Sequence, residues 1–270
     1  MMEDVQGWPD IRGLAIERAG VRGIRLPALV PDRQQGKQQT VATFTLSAGV
    51  RHNEKGAHMS RFVEVLEEVG GEVGLRTAPR LLEEVRHRLG ADTAAIEVRY
   101  PYFVGRSAPV SGARGVAAYD CWLLAESGAV GEQVVLGACT PVTTLCPCSK
   151  TISDYGAHNQ RGTVTVEVTV GRGHRGELAE VWVEELIEVA EQAASAPVYP
   201  VLKRADERQV TMQAYDNPVF VEDIVRDVAI ALRGDPRISS FRARAESCES
   251  IHSHDAFAEI DSAALGRARA

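Results

Sequence analysis

Alternating apolar and polar positions along the chain predict several β-strands. From residue 39 to residue 50, apolar residues alternate with threonine and serine, which is the two-residue period of a half-buried strand. Residues 163–170 alternate valine with threonine and glutamate, and residues 241–246 alternate apolar residues with arginine and glutamate. Three further apolar stretches are strand-like: residues 94–104, 116–125 and 134–143.

Four other segments carry the three-to-four-residue period that is typical of an amphipathic helix. These predicted helices cover residues 60–69, 77–89, 178–194 and 217–233. Ser60, Thr77 and Asn217 are of the residue types that cap the start of a helix. Glycine follows the first, second and fourth segments, as expected where a helix ends.

The elements follow the same order in both halves of the chain: strand, helix, helix, strand. We therefore predict an α+β protein with two tandem modules, each an antiparallel sheet with a pair of helices on one face. The predicted organisation is an irregular N-terminal arm at residues 1–38, modules at residues 39–128 and 129–262, and a C-terminal tail at residues 263–270. Exposed sheet edges favour closure with further subunits into an oligomeric barrel.

Composition and charge narrow the class of function. The 270 residues carry a formal net charge of −7, which argues against binding to nucleic acid or anionic lipid through bulk electrostatics. No apolar run approaches the roughly 20 residues of a spanning helix, and the first residues lack the features of a secretory signal. Five cysteines give no disulfide framework. We therefore expect a cytoplasmic protein that binds neither membrane nor nucleic acid.

The densest group of reactive side chains lies between two predicted strands, at residues 145–161. Cys146, Cys148 and His158 stand there with two cations, Lys150 and Arg161. Thiolate and imidazole are preferred ligands of zinc and similar ions, and a catalytic site keeps one position open for water. The alternative is that the cysteines are ordinary small apolar residues and the histidine is a hydrogen-bonded loop residue. The polar surroundings favour the metal interpretation.

Three weaker groups follow towards the C-terminus. His252 and His254 face one side if their segment is a strand, and can chelate a metal or transfer protons if it is a loop. Residues 203–208 mix cations with carboxylates, which is ordinarily a solvated loop. Glu222 and Arg226 are four residues apart on a predicted helix, where an exposed ion pair is the ordinary explanation.

Taken together, these motifs resemble the GTP cyclohydrolase type IB family, a bacterial enzyme of folate synthesis. The block Cys146-Pro147-Cys148-Ser149-Lys150, followed by Gly156-Ala157-His158-Asn159-Gln160-Arg161, is the most specific part. The resemblance extends over nearly the whole chain, through residues 39–41, 55–64, 145–161, 202–207, 217–223 and 249–255.

The resemblance implies a fold, an assembly and a set of site residues. Members have the tunnelling fold and form homotetramers with active sites between subunits. The family's metal ligands match Cys146, His158 and Glu207. Its guanine-anchoring glutamate matches Glu222, its site histidine matches His252, and Cys148 is the second thiol of its motif. We expect His252 to act as the acid/base and Cys148 to assist proton transfer, with Cys146 catalytic as a metal ligand. The cations available for a triphosphate are Lys55, Lys150, Arg161, Lys203 and Arg204.

The leading hypothesis is a hydrolase that uses one divalent cation per site to convert GTP into 7,8-dihydroneopterin triphosphate and formate. Sulfur, nitrogen and oxygen donors together admit zinc, iron or manganese. One alternative is a related purine or pterin enzyme, such as a nitrile reductase that uses a cysteine nucleophile. Another is a non-enzymatic protein in which Cys146, Cys148, His158 and His252 close a four-ligand structural site.

Overall fold

The computed structural model describes residues 5–128 and 131–265. Within them the strands are β1 (Ile16–Asp32), β2 (Gly36–Val50), β3 (Ala94–Ser107), β4 (Arg114–Gly128), β5 (Gly131–Leu145), β6 (Asn159–Val170), β7 (Ala196–Pro197), β8 (Ile238–Ser247) and β9 (Ala256–Asp261). The helices are α1 (Met59–Val69), α2 (Ala78–Leu89), α3 (Pro147–Ile152), α4 (Val183–Ala193), α5 (Arg204–Asp216), α6 (Val221–Arg233) and α7 (Ser262–Leu265). None of the helices in these ranges is both long and apolar enough to cross a membrane.

The chain divides into two units, which interleave along the sequence. The first comprises Met1–Pro101 and Trp122–Leu136, and the second comprises Tyr102–Cys121 and Gly137–Ala270. The predicted module boundary between residues 128 and 129 adjoins residues 129 and 130, which lie outside the described residues, as do residues 266–270 of the predicted tail.

The irregular N-terminal arm predicted for residues 1–38 is wrong for its central part. Strand β1 pairs antiparallel with β2 along its length, from Ile16 opposite Val50 to Asp32 opposite Gly36. The strand was not predicted because Pro27 and Pro31 interrupt its pattern. Proline is tolerated there because β1 is the first strand in the strand order. Gly23 adds a register shift with a positive φ of 78°, as in a β-bulge.

In the first unit, the predicted strand and helix pair are confirmed. Strand β2 pairs antiparallel with β3 from Thr43 opposite Arg99 to Ala48 opposite Ala94. Helices α1 and α2 pack against each other and contact β1 and β2 respectively. Fully buried side chains fill the layer between helices and sheet, including Phe44, Leu46, Phe62 and Leu82. This apolar layer is the hydrophobic core of the unit.

The second unit repeats the arrangement. Strand β6 pairs antiparallel with β8, β8 with β9, and the short β7 with β5. Helices α4 and α6 pack against each other and against these strands. Alternate valines of β6 are fully buried together with Leu186 of α4 and Ile224 of α6, whereas the intervening β6 side chains are partly exposed. The predicted α+β class, with an antiparallel sheet and helices on one face, is confirmed.

Helices α3 and α5 lie where the sequence predicted loops. Two helices begin later than predicted: α4 at Val183 instead of residue 178, and α6 at Val221 instead of residue 217. Helix α5 occupies residues 204–216, so the prediction of a solvated loop at residues 203–208 is wrong. The helix was not predicted because it buries only Asp206 and Ala214 and has little apolar periodicity. Helix α6 begins at Val221, so Asn217 does not open it and is instead the C-cap of α5. Helix α3 has only six residues, too few for a sequence period to show.

The start of α5 is held by one buried carboxylate. Asp206 Oδ1 accepts hydrogen bonds from the backbone N–H groups of Val110 and Ser111, both at 2.8 Å. Its Oδ2 accepts from the Ser111 hydroxyl at 2.6 Å and from the Lys203 backbone N–H at 2.8 Å. Burial alone raises the pKa of a carboxyl group, but these hydrogen bonds outweigh it and hold the pKa of Asp206 below its ordinary value.

We predict that Asp206→Asn lowers the thermal unfolding midpoint by several degrees at pH 7, because an amide cannot accept all four bonds. A carboxyl group with a lowered pKa in the folded state stabilises the fold above its unfolded pKa of about 3.9, and this contribution is lost at lower pH. The difference between variant and wild type should therefore narrow as the pH falls below about 4. Calorimetry at several pH values measures this, with exposed Asp154→Asn as the control. Equal midpoints at pH 7 would contradict it.

Candidate functional site

The candidate site is built on the loop that connects β5 to β6. Cys146 is the N-cap of α3, and its Sγ accepts the Ser149 backbone N–H at 3.4 Å. Pro147 occupies the first turn, where its missing N–H costs no helical hydrogen bond. The backbone N–H of Cys146 donates to the carbonyl of His158 at 3.2 Å. The structure therefore brings together two of the predicted metal ligands, at the two ends of one short loop.

Ser149 connects these two residues a second time. Its hydroxyl donates to the Cys146 carbonyl at 3.1 Å and accepts the His158 backbone N–H at 3.2 Å. The sulfur and the imidazole are thus carried by a backbone that is fixed by several local hydrogen bonds. A backbone that is already ordered at both predicted ligands reduces the ordering that metal binding would otherwise require.

The His158 ring is mostly buried, and its two nitrogens have different surroundings. Nδ1 lies 2.8 Å from Gln160 Oε1 and 4.0 Å from a carboxylate oxygen of Glu249. No described residue forms a hydrogen bond with Nε2. A histidine ligand commonly binds a metal through one ring nitrogen while a protein oxygen accepts the N–H of the other. His158 fits this arrangement, since the contact of Nδ1 with Gln160 leaves Nε2 available to a metal.

The third predicted ligand, Glu207, is exposed in the first turn of α5. Among residues 5–128 and 131–265 of a single chain, no three His, Cys, Asp or Glu side chains are grouped closely enough to hold a metal ion. The structure therefore brings together Cys146 and His158 but does not add Glu207 to them. The ligand set of Cys146, His158 and Glu207 stays a prediction.

The two predicted catalytic residues outside this ligand set are both exposed. Cys148 lies in α3, two residues after Cys146, and its thiol is free. His252 lies in the loop between β8 and β9, where its ring stacks on that of His254 with centroids 5.1 Å apart. Because the segment is a loop, the interpretation that places both histidines on one face of a strand is wrong. Their roles stay predictions.

Of the predicted phosphate-binding cations, Lys150 and Lys55 contact other groups of the protein through their side chains, and the side chains of the remaining three form no such contact with the described residues. Lys150 is engaged within the protein, since its Nζ donates to the Tyr215 carbonyl and lies 4.3 Å from the centre of the Tyr215 ring. Arg161, Lys203 and Arg204 are exposed, and their side chains form no ion pair within the described part of the chain. These three are available to an anionic ligand. Lys55, in the first unit, lies 4.8 Å over the Trp8 ring.

Glu222 is exposed at the second position of α6. The alternative explanation, an ion pair with Arg226, is wrong, because Arg226 pairs with Asp223 at 3.1 Å. The Glu222 carboxylate forms no hydrogen bond or ion pair with the residues that the structure describes. The segment before α6 is tied to the site loop, since the Val219 backbone N–H donates to the Leu145 carbonyl at 3.2 Å. Glu222 thus retains its full capacity to accept hydrogen bonds from a ligand.

Comparison with known proteins settles the family. Residues 2–258 match the family model described as type I GTP cyclohydrolase folE2. The chain belongs to this family. It is 45% identical to GTP cyclohydrolase FolE2 of Nitrosococcus oceani over 260 residues, which cover 96% of this chain and 95% of that protein. It is 43% identical to the FolE2 protein of Caldicellulosiruptor saccharolyticus, with 96% and 98% covered.

Solved structures of uricases share the fold of this FolE2 family member. The uricase from Bacillus fastidious aligns over 94% of this chain and 96% of its own, with a TM-score of 0.54 and 7% identity. The uricase from Arthrobacter globiformis aligns over 91% and 92%, with a TM-score of 0.52 and 9% identity. At such low identity the likeness concerns the fold alone, and it confirms the predicted tunnelling fold.

Sequence reasoning missed the side chains that support the FolE2 site loop. Ser149 and Gln160 lay inside the recognised motif, and Glu249 lay inside the histidine-rich segment, but none was given a role. The spacing of Gln160 carried a signal, because residues two apart at the start of a strand share a face. Ser247 gave no such signal, because its contacts with residues of β5 and β6 depend on strand register.

Proposed function

We propose that this FolE2 family member is a metal-dependent GTP cyclohydrolase. It converts GTP into 7,8-dihydroneopterin triphosphate and formate, the first step of tetrahydrofolate synthesis, and it acts in the cytoplasm as a homotetramer. The single observation that carries the proposal is the match of residues 2–258 to the folE2 family model. The paired ligands Cys146 and His158 within one loop support it. All five cysteines are free, in keeping with a reducing compartment.

The residues present fit a divalent cation. Cys146 offers a thiolate, His158 offers Nε2, and Glu207 offers a carboxylate, which is a donor set that zinc, iron and manganese accept. Three protein ligands leave a coordination position for water. When bound, such a cation supplies the Lewis acidity that lowers the pKa of water from about 15.7 to about 7, so that a nucleophile for guanine carbon 8 exists at neutral pH.

Glu222 is the proposed anchor of the guanine ring. Guanine presents two N–H donors side by side, one at N1 and one on the 2-amino group. A carboxylate can accept both, and a purine that lacks either donor leaves part of the charge unsatisfied. The exposed, unpaired state of the Glu222 carboxylate in the described structure supports this role. Selectivity for guanine then comes from Glu222 rather than from the metal.

His252 and Cys148 are the proposed proton-transfer groups. Opening the imidazole ring and releasing carbon 8 as formate require protons to leave water and reach the ring nitrogens. An imidazole suits this task because its ordinary pKa of about 6.5 lies near the working pH. Both side chains are exposed, so they are accessible to a substrate. Cys146 contributes to catalysis through its ligand role.

Local cations are needed because the protein carries a net charge of −7 and GTP is itself an anion. Arg161, Lys203 and Arg204 are the proposed triphosphate contacts, with Lys150 as a further candidate. Arg161 lies at the start of β6, and Arg204 begins α5, one residue after Lys203. Asp206 fixes the backbone of Lys203, which supports a defined position for this part of the phosphate site.

The first test combines activity with loss of a ligand. We predict that metal-loaded wild type releases formate and a fluorescent pterin from GTP, and that Cys146→Ala retains its fold but loses both bound metal and turnover. The thiolate is one of only three ligands, so its removal opens the site. Metal content by atomic emission and product by chromatography measure this. Buried Cys121→Ala is the control, since that thiol lies in the core. Full turnover by metal-free Cys146→Ala would refute the metal-dependent mechanism.

A second test addresses guanine selection. We predict that Glu222→Gln raises the KM for GTP roughly 10- to 100-fold, because the amide accepts at only one atom and the charge-assisted bonds are lost. Preference for GTP over inosine triphosphate, which lacks the 2-amino group, should also largely disappear. Steady-state kinetics with both nucleotides measure this, with exposed Asp227→Asn of the same helix as control. An unchanged preference would remove Glu222 from the guanine site.

The third test separates proton transfer from metal binding. We predict that His252→Ala keeps its metal but loses roughly 10²- to 10⁴-fold in kcat, the usual contribution of a general acid or base. The stacked neighbour provides the control: His254→Ala removes the ring contact but not the proposed proton-transfer group. Turnover and metal content are measured on the same preparations. Equal losses in the two variants would indicate a structural role for the pair instead.

A further inference from the structure

A chain of side-chain hydrogen bonds crosses three strands and ends at the predicted metal ligand His158. It begins with two hydroxyl groups in the core, Thr144 of β5 and Ser247 of β8, whose oxygens lie 2.9 Å apart. Each of these residues is only 2% exposed. Gln160 of β6 continues the chain, because its Nε2 donates to the Ser247 oxygen at 2.9 Å. The side-chain amide is therefore attached to a buried and rigid part of the sheet.

The other contacts of Gln160 fix which way round the amide lies. Nε2 also donates to Glu249 Oε1 at 3.3 Å. An ionised carboxylate only accepts hydrogen bonds, so the NH₂ end of the amide must face Glu249. The carbonyl end then faces the imidazole, where Oε1 lies 2.8 Å from His158 Nδ1.

The orientation of the amide determines the tautomer of the histidine. A carbonyl oxygen accepts but cannot donate, so Nδ1 carries the hydrogen in the neutral ring. The lone pair is then on Nε2, which has no hydrogen-bond partner among the described residues. A metal ion binds only the unprotonated nitrogen. The neutral His158 ring therefore has the tautomer that a metal requires even in the absence of the metal.

We propose that Gln160 is a positioning residue that fixes His158 in the metal-binding tautomer, with Glu249 and Ser247 fixing the orientation of Gln160. The inference rests on the proposed function, since it assigns His158 as a ligand. Glu249 adds negative charge 4.0 Å from Nδ1, which strengthens the imidazole as an electron-pair donor. No atom of Gln160 needs to touch metal or substrate for this role.

The test measures cobalt binding rather than activity alone. Apo-protein is titrated with Co²⁺ alone, and binding is followed by the absorption of the cobalt–thiolate bond. Gln160→Met removes the amide at similar length and should weaken Co²⁺ binding roughly 10- to 100-fold, the usual effect of losing a supporting partner of a metal ligand. Gln192→Met, on the exposed side of α4, is the matched control and should bind as wild type does. Wild-type affinity in Gln160→Met overturns the inference.

An exchange variant protects the test against simple loss of folding. In the double variant Gln160→Glu with Glu249→Gln, a carboxylate oxygen at position 160 still accepts the hydrogen bond from His158 Nδ1. The new side-chain amide at position 249 donates to that carboxylate. The net charge of the pair is unchanged. Cobalt affinity should return to within a few-fold of wild type in the double variant. Equal weakness in Gln160→Met and the exchange variant contradicts the positioning role.

Nitrogen NMR of the metal-free protein gives a second, independent readout. The ¹⁵N shifts of the His158 ring should show a protonated Nδ1 and an unprotonated Nε2 in wild type, and a tautomer mixture in Gln160→Met. An Nε2–H tautomer in wild type refutes the proposal. The proposed function fails separately: a wild type that binds Co²⁺ as described but does not convert GTP contradicts the cyclohydrolase assignment and leaves the positioning role in place. A wild type that binds no Co²⁺ overturns both.

Discussion

The candidate site depends on one backbone contact, the hydrogen bond between the Cys146 N–H and the His158 carbonyl where β5 ends and β6 begins. Because β5 and β6 are neighbours in the sheet, the eleven residues between Cys146 and His158 can leave the sheet and return to the same point. The excursion holds α3, whose first turn uses the Cys146 sulfur as its cap. This contact therefore places residues 146 and 158 side by side, and Ser149 within the loop connects them a second time.

The same strand end also organises the two helices that carry the remaining candidate residues. The Leu145 carbonyl accepts a hydrogen bond from the Val219 backbone N–H, just before α6. The Leu145 N–H donates to the hydroxyl oxygen of buried Ser195 at 3.0 Å. The Lys150 ammonium group donates to the Tyr215 carbonyl in the last turn of α5. Asp206 fixes the opposite end of α5 to residues 110 and 111. The start of α5 is thus placed by hydrogen bonds, which a polar and weakly periodic sequence can supply without a large apolar face, whereas α6 also buries an apolar face of six residues.

The elements that the sequence predicted are those with a regular period of apolar residues. Strands β2 to β6 and β8, the helix pair α1 and α2, and the α+β class followed from two-residue and three-to-four-residue periods. Strand β1 was missed because prolines that only an edge strand tolerates interrupted its pattern. Helix α5 was missed because its first turn is stabilised by Asp206 and its partners, which are almost a hundred residues away along the chain. Candidate chemistry was predicted from motif residues, whereas the contacts of Ser247 with β5 and β6 depend on strand register and gave no signal in the sequence.

The three proposed ligands differ in how firmly the structure holds them, and this difference matters for the proposed chemistry. Cys146 and His158 are held by hydrogen bonds, whereas Glu207 is exposed, and no three-member ligand group forms within the described part of one chain. Sulfur and imidazole alone leave several coordination positions for water, and a third donor must approach without filling all of them. Because Asp206 fixes the start of α5, only the Glu207 side chain, and not a loop, would have to be ordered for Glu207 to serve as the proposed third donor. Rigid placement of α5 by Asp206 is therefore as important to the proposed site as the motif that contains the thiol.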